Sequence, residues 1–475
     1  MNLRDLAGVD SDSEVTSFAI DHRKVVRGSI FGAFKGAVFN GEDFIDQAVE
    51  RGAVAVVAGP EAPVQTVPIL SDAEPRRLFA KLASRFFGPY PETVVAVTGT
   101  NGKTSTVEMT RQLWRMAGHR SASIGTLGVT TSDDQVKTGL PTPDIVTFLN
   151  NMAGLKRMGI SHVAYEASSH GLDQHRAEGV PLRAAAFTNF SRDHLDYHPS
   201  MDAYFEAKMR LFDELLPEDG TAVIWTDDPK SAEVIERVRR RGIALMTVGR
   251  AGETIQLLEQ APTALGQNLV IQYAEGTYRL ALPLIGAYQA SNVLVAAGLA
   301  MATGSSFESV FSAMQRLAPV RGRLERAVIS RGGAPVYVDY AHTPDALEAA
   351  IAALRPHVSN RLITVFGAGG DRDQGKRPEM GQVAARLSDI VIVTDDNPRG
   401  EDPAAIRRDV LAGAPDAMEI GGRREAIAGA IRMAGEGDII LVAGKGHETG
   451  QIIGAGANER ILPFDDAIVA RECAA

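Results

Sequence analysis

Short apolar runs of strand length recur along this chain, and longer segments with apolar residues at helical spacing separate them. The runs occupy residues 53–57, 93–97, 161–165, 184–187, 222–225, 243–248, 336–339, 362–366, 390–394 and 439–443. Strands that are apolar throughout are typical of sheets covered by helices on both faces, and their alternation with helices predicts mainly parallel pairing. The chain is therefore predicted to fold as an α/β protein.

Two stretches divide the chain. Residues 87–91 read Phe-Gly-Pro-Tyr-Pro, a composition typical of a linker, and a second break falls at residues 317–323. A length of 475 residues also exceeds what one hydrophobic core usually supports. We expect three domains: an N-terminal α/β domain over 1–88, a central domain over 89–318 with a P-loop-type, mainly parallel sheet, and a C-terminal Rossmann-like α/β domain over 319–475.

Composition excludes several classes of protein. A net charge of -10 disfavours a nucleic-acid-binding protein, because phosphate backbones select basic surfaces. The only cysteine, Cys473, rules out both a disulfide framework and a cysteine zinc site. No apolar stretch reaches membrane-spanning length, and residues 1–6 do not begin a signal peptide. We expect a cytoplasmic protein that neither binds nucleic acid nor inserts into a membrane.

Residues 98–105 read Thr-Gly-Thr-Asn-Gly-Lys-Thr-Ser and lie between a predicted strand and a predicted helix. Glycines let backbone N–H groups turn toward phosphate oxygens, and the helix N-terminus adds partial positive charge. Lys103 would supply a cation, and the hydroxyl of Thr104 or Ser105 a magnesium ligand. The usual pattern has a glycine where this chain has Val97, so the loop is a shortened form. The pattern predicts nucleotide binding, the alternative being a glycine turn with a chance lysine.

Polar residues elsewhere are candidates for metal binding or catalysis. Glu166 follows a predicted strand, where a carboxylate points into the ligand crevice of a parallel sheet; the alternative is a surface glutamate. His194 and His198 lie four residues apart, but Leu195 excludes the zinc-protease motif. One of these histidines is a candidate metal ligand, against an ordinary hydrogen-bonded side chain. Lys208, on a predicted helix, would by itself be a solvated lysine.

A second glycine cluster, Phe-Gly-Ala-Gly-Gly-Asp-Arg at 366–372, also follows a predicted strand. A dinucleotide-binding fingerprint would place its third glycine at Arg372, so the motif is incomplete. We favour a loop whose backbone approaches an anionic ligand.

Together these motifs resemble the Mur ligase family, and within it the UDP-N-acetylmuramoyl-tripeptide synthetases. The resemblance runs the whole length of the chain, and the shortened phosphate loop with Asn101 is itself the family's form. The motifs are residues 99–105, 166–172, 189–198, Lys208, Asp-Tyr-Ala-His-Thr-Pro at 339–344, Gly-Asp-Arg-Asp at 370–373, Asp-Asn-Pro-Arg at 396–399 and Gly-Lys-Gly-His-Glu at 444–448. The resemblance implies an ATP-dependent ligase of peptidoglycan synthesis, and thus a role in cell-wall biogenesis, cell shape and division.

The resemblance also implies roles for four groups of residues. The catalytic and magnesium-binding group consists of Lys103, Thr104, Glu166, His194 and Lys208, with Lys208 carbamylated. The ATP group consists of Gly99, Thr100, Asn101, Gly102, Lys103, Thr104, Ser105, Asn292, Arg323 and Asp339. The group for the UDP-muramoyl-dipeptide consists of Ile20, His22, Ala37, Val38, Phe39, Pro141, Thr142, Ser168, Gln174 and Arg176. The group for diaminopimelate consists of Arg372, Asp396, Asn397, Pro398, Arg399, Gly444 and Glu448.

Family members that add meso-diaminopimelate carry Asp-Asn-Pro-Arg where the lysine-adding members differ, and this chain has it at 396–399. Diaminopimelate ends in a second amino-acid head, whose carboxylate suits the planar guanidinium groups of Arg399 and Arg372. Lysine lacks this carboxylate and would leave buried arginines unpaired. The implied substrates are therefore UDP-N-acetylmuramoyl-L-alanyl-D-glutamate and meso-diaminopimelate, handled by a protein that we expect to be a monomer.

Three alternatives stand beside this interpretation: the lysine-adding form of the same ligase, a folylpolyglutamate synthetase, and a nucleotide-dependent switch without ligase chemistry. Two positions also depart from the family pattern. Gln289 stands where the family usually has asparagine, and His22 stands where a serine is frequent.

Overall fold

The computed structural model describes residues 1–36, 39–63, 65–132, 135–136, 142–194, 197–263, 265–371 and 373–475. The chain forms two compact units: Met1–Gln256 with Asn292–Val310, and Leu257–Ser291 with Phe311–Ala475. The domain boundaries after residues 88 and 318 stay predictions. None of the helices in the described ranges has both the length and the apolar character needed to cross a membrane.

The N-terminal part of the first unit is a four-stranded sheet in which all neighbours are parallel. Its elements are α1 (Leu3–Ala7), β1 (Ser17–Ala19), β2 (Ser29–Gly32), α2 (Ile45–Glu50), β3 (Ala53–Ala58), β4 (Ile69–Ser71) and α3 (Pro75–Phe87), with strand order β1-β2-β3-β4. Helix α3 starts at Pro75, whose fixed φ suits the first helical turn. It buries Phe79 against the rings of Phe18 and Phe34, at centroid distances of 5.2 and 5.4 Å. This aromatic cluster holds the helix on the sheet.

The chain enters the larger sheet of the first unit at a central strand, β5 (Thr93–Thr98), and the later strands are added on both sides of it. Its elements are β5 (Thr93–Thr98), α4 (Lys103–Met116), β6 (Ser121–Gly125), β7 (Gly128–Thr130), β8 (Gln135–Val136), α5 (Ile145–Arg157), β9 (His162–Glu166), α6 (Ser169–Asp173), β10 (Ala184–Phe187), α7 (Met201–Arg210), β11 (Thr221–Trp225), α8 (Ser231–Arg240) and β12 (Ala244–Gly249). Six parallel strands lie in the order β12-β11-β10-β5-β9-β6, and β7 and β8 continue antiparallel. Strand β5 lies between β9 and β10, so the chain reverses its direction of winding there. Loops after these strands form the ligand crevice of such a sheet.

The chain passes between the two units within three elements, β13, α9 and α10. These and their neighbours are β13 (Ile255–Thr263), β14 (Gly266–Tyr273), β15 (Gly276–Leu282), α9 (Ala287–Ala302) and α10 (Phe307–Met314). Strands β14 and β15 pair antiparallel along their whole length.

The rest of the second unit is a six-stranded sheet with helices on both faces. Its elements are β16 (Glu325–Ile329), β17 (Pro335–Asp339), α11 (Pro344–Leu354), β18 (Leu362–Phe366), α12 (Lys376–Leu387), β19 (Ile390–Val393), α13 (Pro403–Leu411), β20 (Met418–Glu419), α14 (Arg423–Met433), β21 (Ile439–Ala443), β22 (Gly450–Ile453), β23 (Arg460–Pro463) and α15 (Asp466–Ala474). The strand order is β16-β17-β21-β18-β19-β20, parallel except for β16, and β22 pairs with β23. One core lies under α11, α12 and α13, and another under α14 and α15.

The predicted α/β class with mainly parallel sheets is confirmed, and every predicted apolar run coincides with an observed strand to within one or two residues. Strands β7, β8, β13, β14 and β15 were not predicted; β13 pairs in parallel with β12, and the pairs β7–β8 and β14–β15 are antiparallel. Their exposed positions interrupt the apolar runs, as in β13, where buried and exposed residues alternate irregularly.

We predict that Phe79→Ala destabilises the first unit by about 3–5 kcal/mol, because it removes a fully buried ring from the aromatic cluster. Urea unfolding followed by tryptophan fluorescence measures this, since both tryptophans, Trp114 and Trp225, lie in the first unit. Val26→Ala is the control, because Val26 is 54% exposed and its truncation should change the unfolding free energy very little. Equal midpoints for the two variants would contradict the packing role of Phe79.

Candidate active site

The loop between β5 and α4 takes a shape that favours glycine at two positions. Gly99 and Gly102 have φ angles of +141° and +84°. A side chain at Gly99 would collide with the hydroxyl of Thr188, and one at Gly102 with the amide of Asn292. Gly102 is also the residue preceding the first turn of α4, whose N–H groups have no partner within the helix. The loop predicted to hold phosphates thus combines a close backbone turn with a helix N-terminus, as an anion site requires.

The segment that follows β10 fixes the same loop by hydrogen bonds. The N–H of Thr100 donates to the carbonyl of Asn189 at 2.9 Å, and the N–H of Asn101 donates to the Asn189 side-chain oxygen at 2.8 Å. The Thr188 hydroxyl donates to the carbonyl of Asn101 at 2.7 Å. The N–H of Ser191 donates to the Thr100 hydroxyl at 3.0 Å. The loop is therefore held in one conformation by its neighbour at the sheet edge.

Two lysines converge on the phosphate loop. Lys103 Nζ donates to the carbonyls of Gly99 and Thr100 at 2.9 and 2.7 Å. Lys208, on α7, is 1% exposed; its Nζ donates to the carbonyl of Gly99 at 2.7 Å and lies 4.3 Å above the ring of Tyr204. Burial, and then repulsion from Lys103, lower the pKa of Lys208 well below its ordinary value. Lys208 is therefore an interior amine rather than a solvated lysine.

Glu166, the last residue of β9, is 2% exposed and lies beside the phosphate loop instead of on the surface. Its carboxylate accepts hydrogen bonds from the N–H of Thr126 at 2.7 Å and from the Thr126 hydroxyl at 3.2 Å. The hydroxyl of Thr104 lies 3.4 Å from that of Thr126. Thr126 thus links the two predicted magnesium ligands, Thr104 and Glu166.

His194 is a surface residue with a left-handed backbone, at φ +52° and with 41% of its side chain exposed. Its ring lies edge-on to that of Tyr204 at 5.9 Å, so His194 and Lys208 contact the same aromatic ring. His198 is 4% exposed and contacts Tyr204 as well, at 5.2 Å. Within the described residues, no group of three or more His, Cys, Asp or Glu side chains is arranged to hold a metal ion.

The structure brings together four residues predicted to contact the muramoyl-dipeptide. The Thr142 hydroxyl donates to the carbonyl of Glu166 at 2.7 Å and lies 3.0 Å from the Ser168 hydroxyl. The guanidinium of Arg176 donates to the side-chain oxygen of Gln174 at 2.6 and 3.1 Å, and to the carbonyl of Thr142 at 3.3 Å. This cluster therefore adjoins Glu166 at the carboxyl end of β9.

The N-terminal residues predicted to hold the UDP end are mostly exposed. Ile20 is 36% exposed and Phe39 72% exposed, and the ring of His22 stacks on that of Phe44 at 4.4 Å. The other predicted site residues Ala37, Val38, Pro141 and Arg372 lie outside the described residues.

A cavity of about 440 Å³ lies at the carboxyl ends of β2, β3 and β4, the edge at which parallel sheets bind ligands. Its lining includes Lys35, whose carbonyl accepts a hydrogen bond from Arg76, and His175, which adjoins the predicted dipeptide contacts Gln174 and Arg176. The cavity therefore carries two cationic side chains, Lys35 and Arg76, together with the carboxylates of Glu42, Glu61, Glu74 and Asp173, beside the dipeptide cluster.

In the second unit, Asp339 ends β17 and its carboxylate is held by backbone groups. It accepts from the N–H groups of Leu324 and Ala341 at 2.7 and 2.9 Å. Burial raises the pKa of Asp339, an effect that the charge of Arg323 opposes. The Arg323 guanidinium lies 4.8 Å from the centroid of the Tyr340 ring. The structure thus places Arg323 and Asp339 next to each other within one unit.

The loop after β19 contains a buried carboxylate. Asp396 is 8% exposed, and its Oδ2 has no hydrogen-bond partner in the part of the chain that the structure describes. Burial raises the pKa of Asp396, opposed by the charges of Arg423 and Lys445; Arg423 lies 3.9 Å away. A side chain at Gly444, whose φ is +116°, would contact that same Oδ2. The glycine therefore leaves room beside this buried oxygen that any larger residue at position 444 would fill.

The neighbouring residues form the rest of this cluster. The Asn397 amide donates to Glu448 Oε2 at 2.9 Å. Arg399, at φ +50°, donates from its guanidinium to the carbonyl of Gly370 at 2.9 Å and from its N–H to the carbonyl of Ile452 at 3.1 Å. The predicted amino-acid residues Asp396, Asn397, Pro398, Arg399, Gly444 and Glu448 thus lie in the loops that follow β19 and β21.

Several residues of these sites had no predicted role. Lys445 is fully buried and bonds to both Asn397 and Glu448; it lies inside the motif at 444–448, where its burial could not be read from the sequence. Thr126 lies 40 residues from its partner Glu166 and carries no local signal. The same holds for the buried pair Arg423 and Asp466, which are 43 residues apart.

Comparison with known proteins gives concordant matches. Residues 97–300 match the model of the Mur ligase middle domain, and residues 322–446 that of the Mur ligase glutamate ligase domain. The UDP-N-acetylmuramoyl-L-alanyl-D-glutamate–2,6-diaminopimelate ligase of Zymomonas mobilis is 57% identical, over 98% of this chain and 96% of the relative. That of Bradyrhizobium diazoefficiens is 50% identical, over 98% and 97%. A solved structure of a ligase of the same name has a TM-score of 0.74 at 32% identity, covering 100% of this chain and 98% of the other.

We predict that Gly102→Ala weakens ATP binding at least about 10-fold, because the added methyl group strains the backbone and displaces Asn292. Gly118→Ala, just beyond the other end of α4, is the matched control: its φ is +91°, but nothing lies within 4 Å of the added carbon. Isothermal titration calorimetry of both variants with ATP separates the effect of displacing Asn292 from the effect of backbone strain alone. Equal affinities would show that the contact with Asn292 is irrelevant to the nucleotide.

Proposed function

The chain belongs to the Mur ligase family, as its motifs predicted, and on this premise we propose that it adds meso-diaminopimelate to UDP-N-acetylmuramoyl-L-alanyl-D-glutamate. The observation that carries the proposal is the loop at 396–399, which presents a buried carboxylate and a guanidinium three residues apart. An amino acid with an ammonium and a carboxylate at its distal end is complementary to that pair. The lysine-adding, folate and switch alternatives have no such observation in their favour.

The reaction joins a carboxylate to an amine at the expense of ATP. The D-glutamyl carboxylate attacks the γ-phosphate, giving an acyl phosphate and ADP. The amine of diaminopimelate then attacks the acyl carbon, phosphate leaves, a proton is lost, and an amide remains. The main obstacle is electrostatic, because two anions must meet in the first step. Lys103 and the N–H groups of the fixed loop supply positive charge where the phosphates lie.

The family implies magnesium and a carbamylated lysine, and the residues present fit both. Magnesium uses oxygen ligands and often only one or two carboxylates beside substrate phosphates, which suits Thr104 and Glu166 at the loop. His194 contacts the ring of Tyr204, over which Lys208 Nζ also lies. When bound, magnesium would neutralise phosphate charge. Lys208 would hold it as a carbamate, formed when the neutral amine adds carbon dioxide and releases one proton; a buried amine with a lowered pKa favours this addition.

Charged side chains of the second unit are expected to determine which amino acid is selected. Asp396 and Glu448 are the acceptors available to an ammonium group, and Arg399 is the donor for a carboxylate. L-Lysine would supply the ammonium alone and leave Arg399 without its partner. Arg399 is partly buried, and an unpaired charge in such a position is costly, so the site is expected to discriminate against lysine.

The direct test is an incubation of the protein with ATP, Mg²⁺ and UDP-N-acetylmuramoyl-L-alanyl-D-glutamate, offering either meso-diaminopimelate or L-lysine, with the product identified by mass. The diaminopimelate adduct is expected, with stoichiometric phosphate release. A lysine adduct formed equally well would overturn the specificity. Phosphate release that is the same with and without both cosubstrates would overturn the ligase function.

We predict that Arg399→Ala raises the KM for diaminopimelate about 100-fold or more, the loss expected for a charge-assisted pair, and leaves the KM for ATP unchanged. Arg408→Ala, on the exposed face of the nearby α13, is the control and should behave like the unmodified protein. Steady-state kinetics with each substrate varied in turn give the comparison. If Arg399→Ala kept its diaminopimelate kinetics, the assignment of Arg399 would be wrong.

We also predict that Lys208→Ala lowers kcat by about 1000-fold, because it removes the proposed carbamate from the phosphate loop. Added acetate or propionate should restore part of the activity, since a small carboxylate can occupy the place of the carbamate. Chloride at equal ionic strength is the control. Rescue by chloride as well, or undiminished activity of the variant, would contradict the carbamate.

A further inference from the structure

Lys445 is a lysine whose ammonium has been taken entirely out of water. Its side chain is 0% exposed, although it lies in the loop directly after β21. Nζ donates to Asn397 Oδ1 at 2.8 Å and to Glu448 Oε2 at 2.9 Å. Both partners belong to the group proposed above to bind the amino acid, and neither the proposed reaction nor its substrates assign a role to Lys445.

Stability alone is a poor explanation for this arrangement. Desolvating an ammonium and a carboxylate costs about as much as their attraction returns, so apolar residues of similar volume often serve a fold equally well. Glu448, in contrast to Lys445, keeps 32% of its side chain exposed, although its carboxylate accepts from the buried ammonium.

The hydrogen bonds of Lys445 fix the orientation of the Asn397 amide. Asn397 Oδ1 accepts from Lys445 and also from the N–H of Ile452 at 2.9 Å. Two donors on one atom identify it as the oxygen, so Nδ2 must point the other way, where it donates to Glu448 Oε2. Without the ammonium, this amide would lose one of the two donors that hold it.

The same bonds fix which oxygen of Glu448 faces the site. Oε2 accepts from both Lys445 and Asn397, at 2.9 Å each. A carboxylate bound through one oxygen in this way presents the other, Oε1, to a ligand. Burial raises the pKa of Glu448, but the charge and hydrogen bond of Lys445 outweigh burial and the pKa is lowered. Glu448 is thus both oriented and kept ionised.

The charges of the cluster are balanced for a cationic ligand. Arg399 is set aside here, because it is proposed to pair with the distal carboxylate of the ligand. Of the remaining charged groups, Asp396, Glu448 and Asp466 are three carboxylates and Arg423 and Lys445 are two cations, which leaves one net negative charge. An ammonium group of the ligand brings the total to zero. With Lys445 removed, the cluster holds two uncompensated negative charges in a largely desolvated space, where a carboxylate tends to take up a proton.

We propose that Lys445 is a positioning residue of the amino-acid site, which locks Asn397 and Glu448 so that Glu448 Oε1 accepts from the ammonium of the incoming amino acid. This rests on the proposed function. Lys445 contacts no substrate atom; it acts through the two residues that it holds.

The test is a double-mutant cycle in the full-length protein, with KM for diaminopimelate as the readout. Lys445→Met is expected to raise this KM about 10- to 100-fold, the range for loss of a charged hydrogen bond, with kcat reduced less than about threefold and the KM for ATP unchanged. In a Glu448→Gln background, the same Lys445→Met change should alter KM less than about twofold. Effects that multiply in the double variant would overturn the proposal, because Lys445 would then act independently of Glu448.

Arg361→Met is the matched control. It also removes a cation from a carboxylate, in this case the fully buried one of Asp438 at 2.7 Å, but this pair lies at the amino ends of β18 and β21, whereas Lys445 lies at the carboxyl end of β21. If general destabilisation caused the change in KM, Arg361→Met would show it too, and the proposal would fail. The melting temperatures of both variants show whether their destabilisation is comparable.

Lys445→Gln covers the case in which the methionine variant does not fold, since its amide keeps two N–H donors without the charge. It should raise the KM for diaminopimelate, by less than methionine where both can be measured, and an unchanged KM would overturn the proposal. The unmodified protein separates this inference from the proposed function. If it does not use diaminopimelate, the function is wrong; if it does and the Lys445 variants keep its KM, only the role of Lys445 is wrong.

Discussion

The first unit depends on the hydrogen bonds that join the phosphate loop to the segment after β10. They form because β5 and β10 are parallel neighbours in register, Thr98 opposite Phe187, so both loops leave the sheet at the same level. The backbone groups of Thr100 and Asn101 are then satisfied by Asn189 and Thr188 instead of by water. A loop that is fixed before the ligand binds loses little conformational entropy on binding. Placing the site where the loops after β5 and β10 meet has this advantage.

Fixing the loop has an electrostatic consequence. The carbonyl of Gly99 accepts from both Lys103 and Lys208, so two ammonium groups meet where the first turn of α4 already adds positive charge. Burial makes the second cation unfavourable, and the lowered pKa of Lys208 is the result. The proposed carbamate would resolve this conflict, because it places a negative charge beside Lys103 at a position where a second positive charge is unfavourable. The repulsion between Lys103 and Lys208 therefore favours the proposed modification of Lys208.

The sequence was sufficient for what local pattern determines. The parallel strands were predicted because each is apolar throughout, and the loop at 99–105 because glycines, lysine and hydroxyls occur at fixed spacing between a strand and a helix. Thr126 could not be predicted, because its bond to Glu166 depends on β6 pairing with β9. Lys445 was inside a recognised motif, yet its burial depends on Asn397, 48 residues away. Strands β13–β15 were missed because their exposed residues give no apolar run.

In the second unit, buried charges and a strained backbone both hold the residues of the amino-acid site in fixed positions. Arg399 adopts φ +50°, which costs energy for a residue with a side chain, and it persists because its N–H and C=O are bonded to Ile452 and Gly454. Arg377, 1% exposed, pairs with Glu401 in the loop after β19 and with Asp409 on α13, and so joins that loop to the helix. Such pairs add little net stability, but they permit few alternative arrangements. A guanidinium and a carboxylate held at fixed separation can distinguish an amino acid with a distal carboxylate from one without it, whereas a flexible loop would adapt to both.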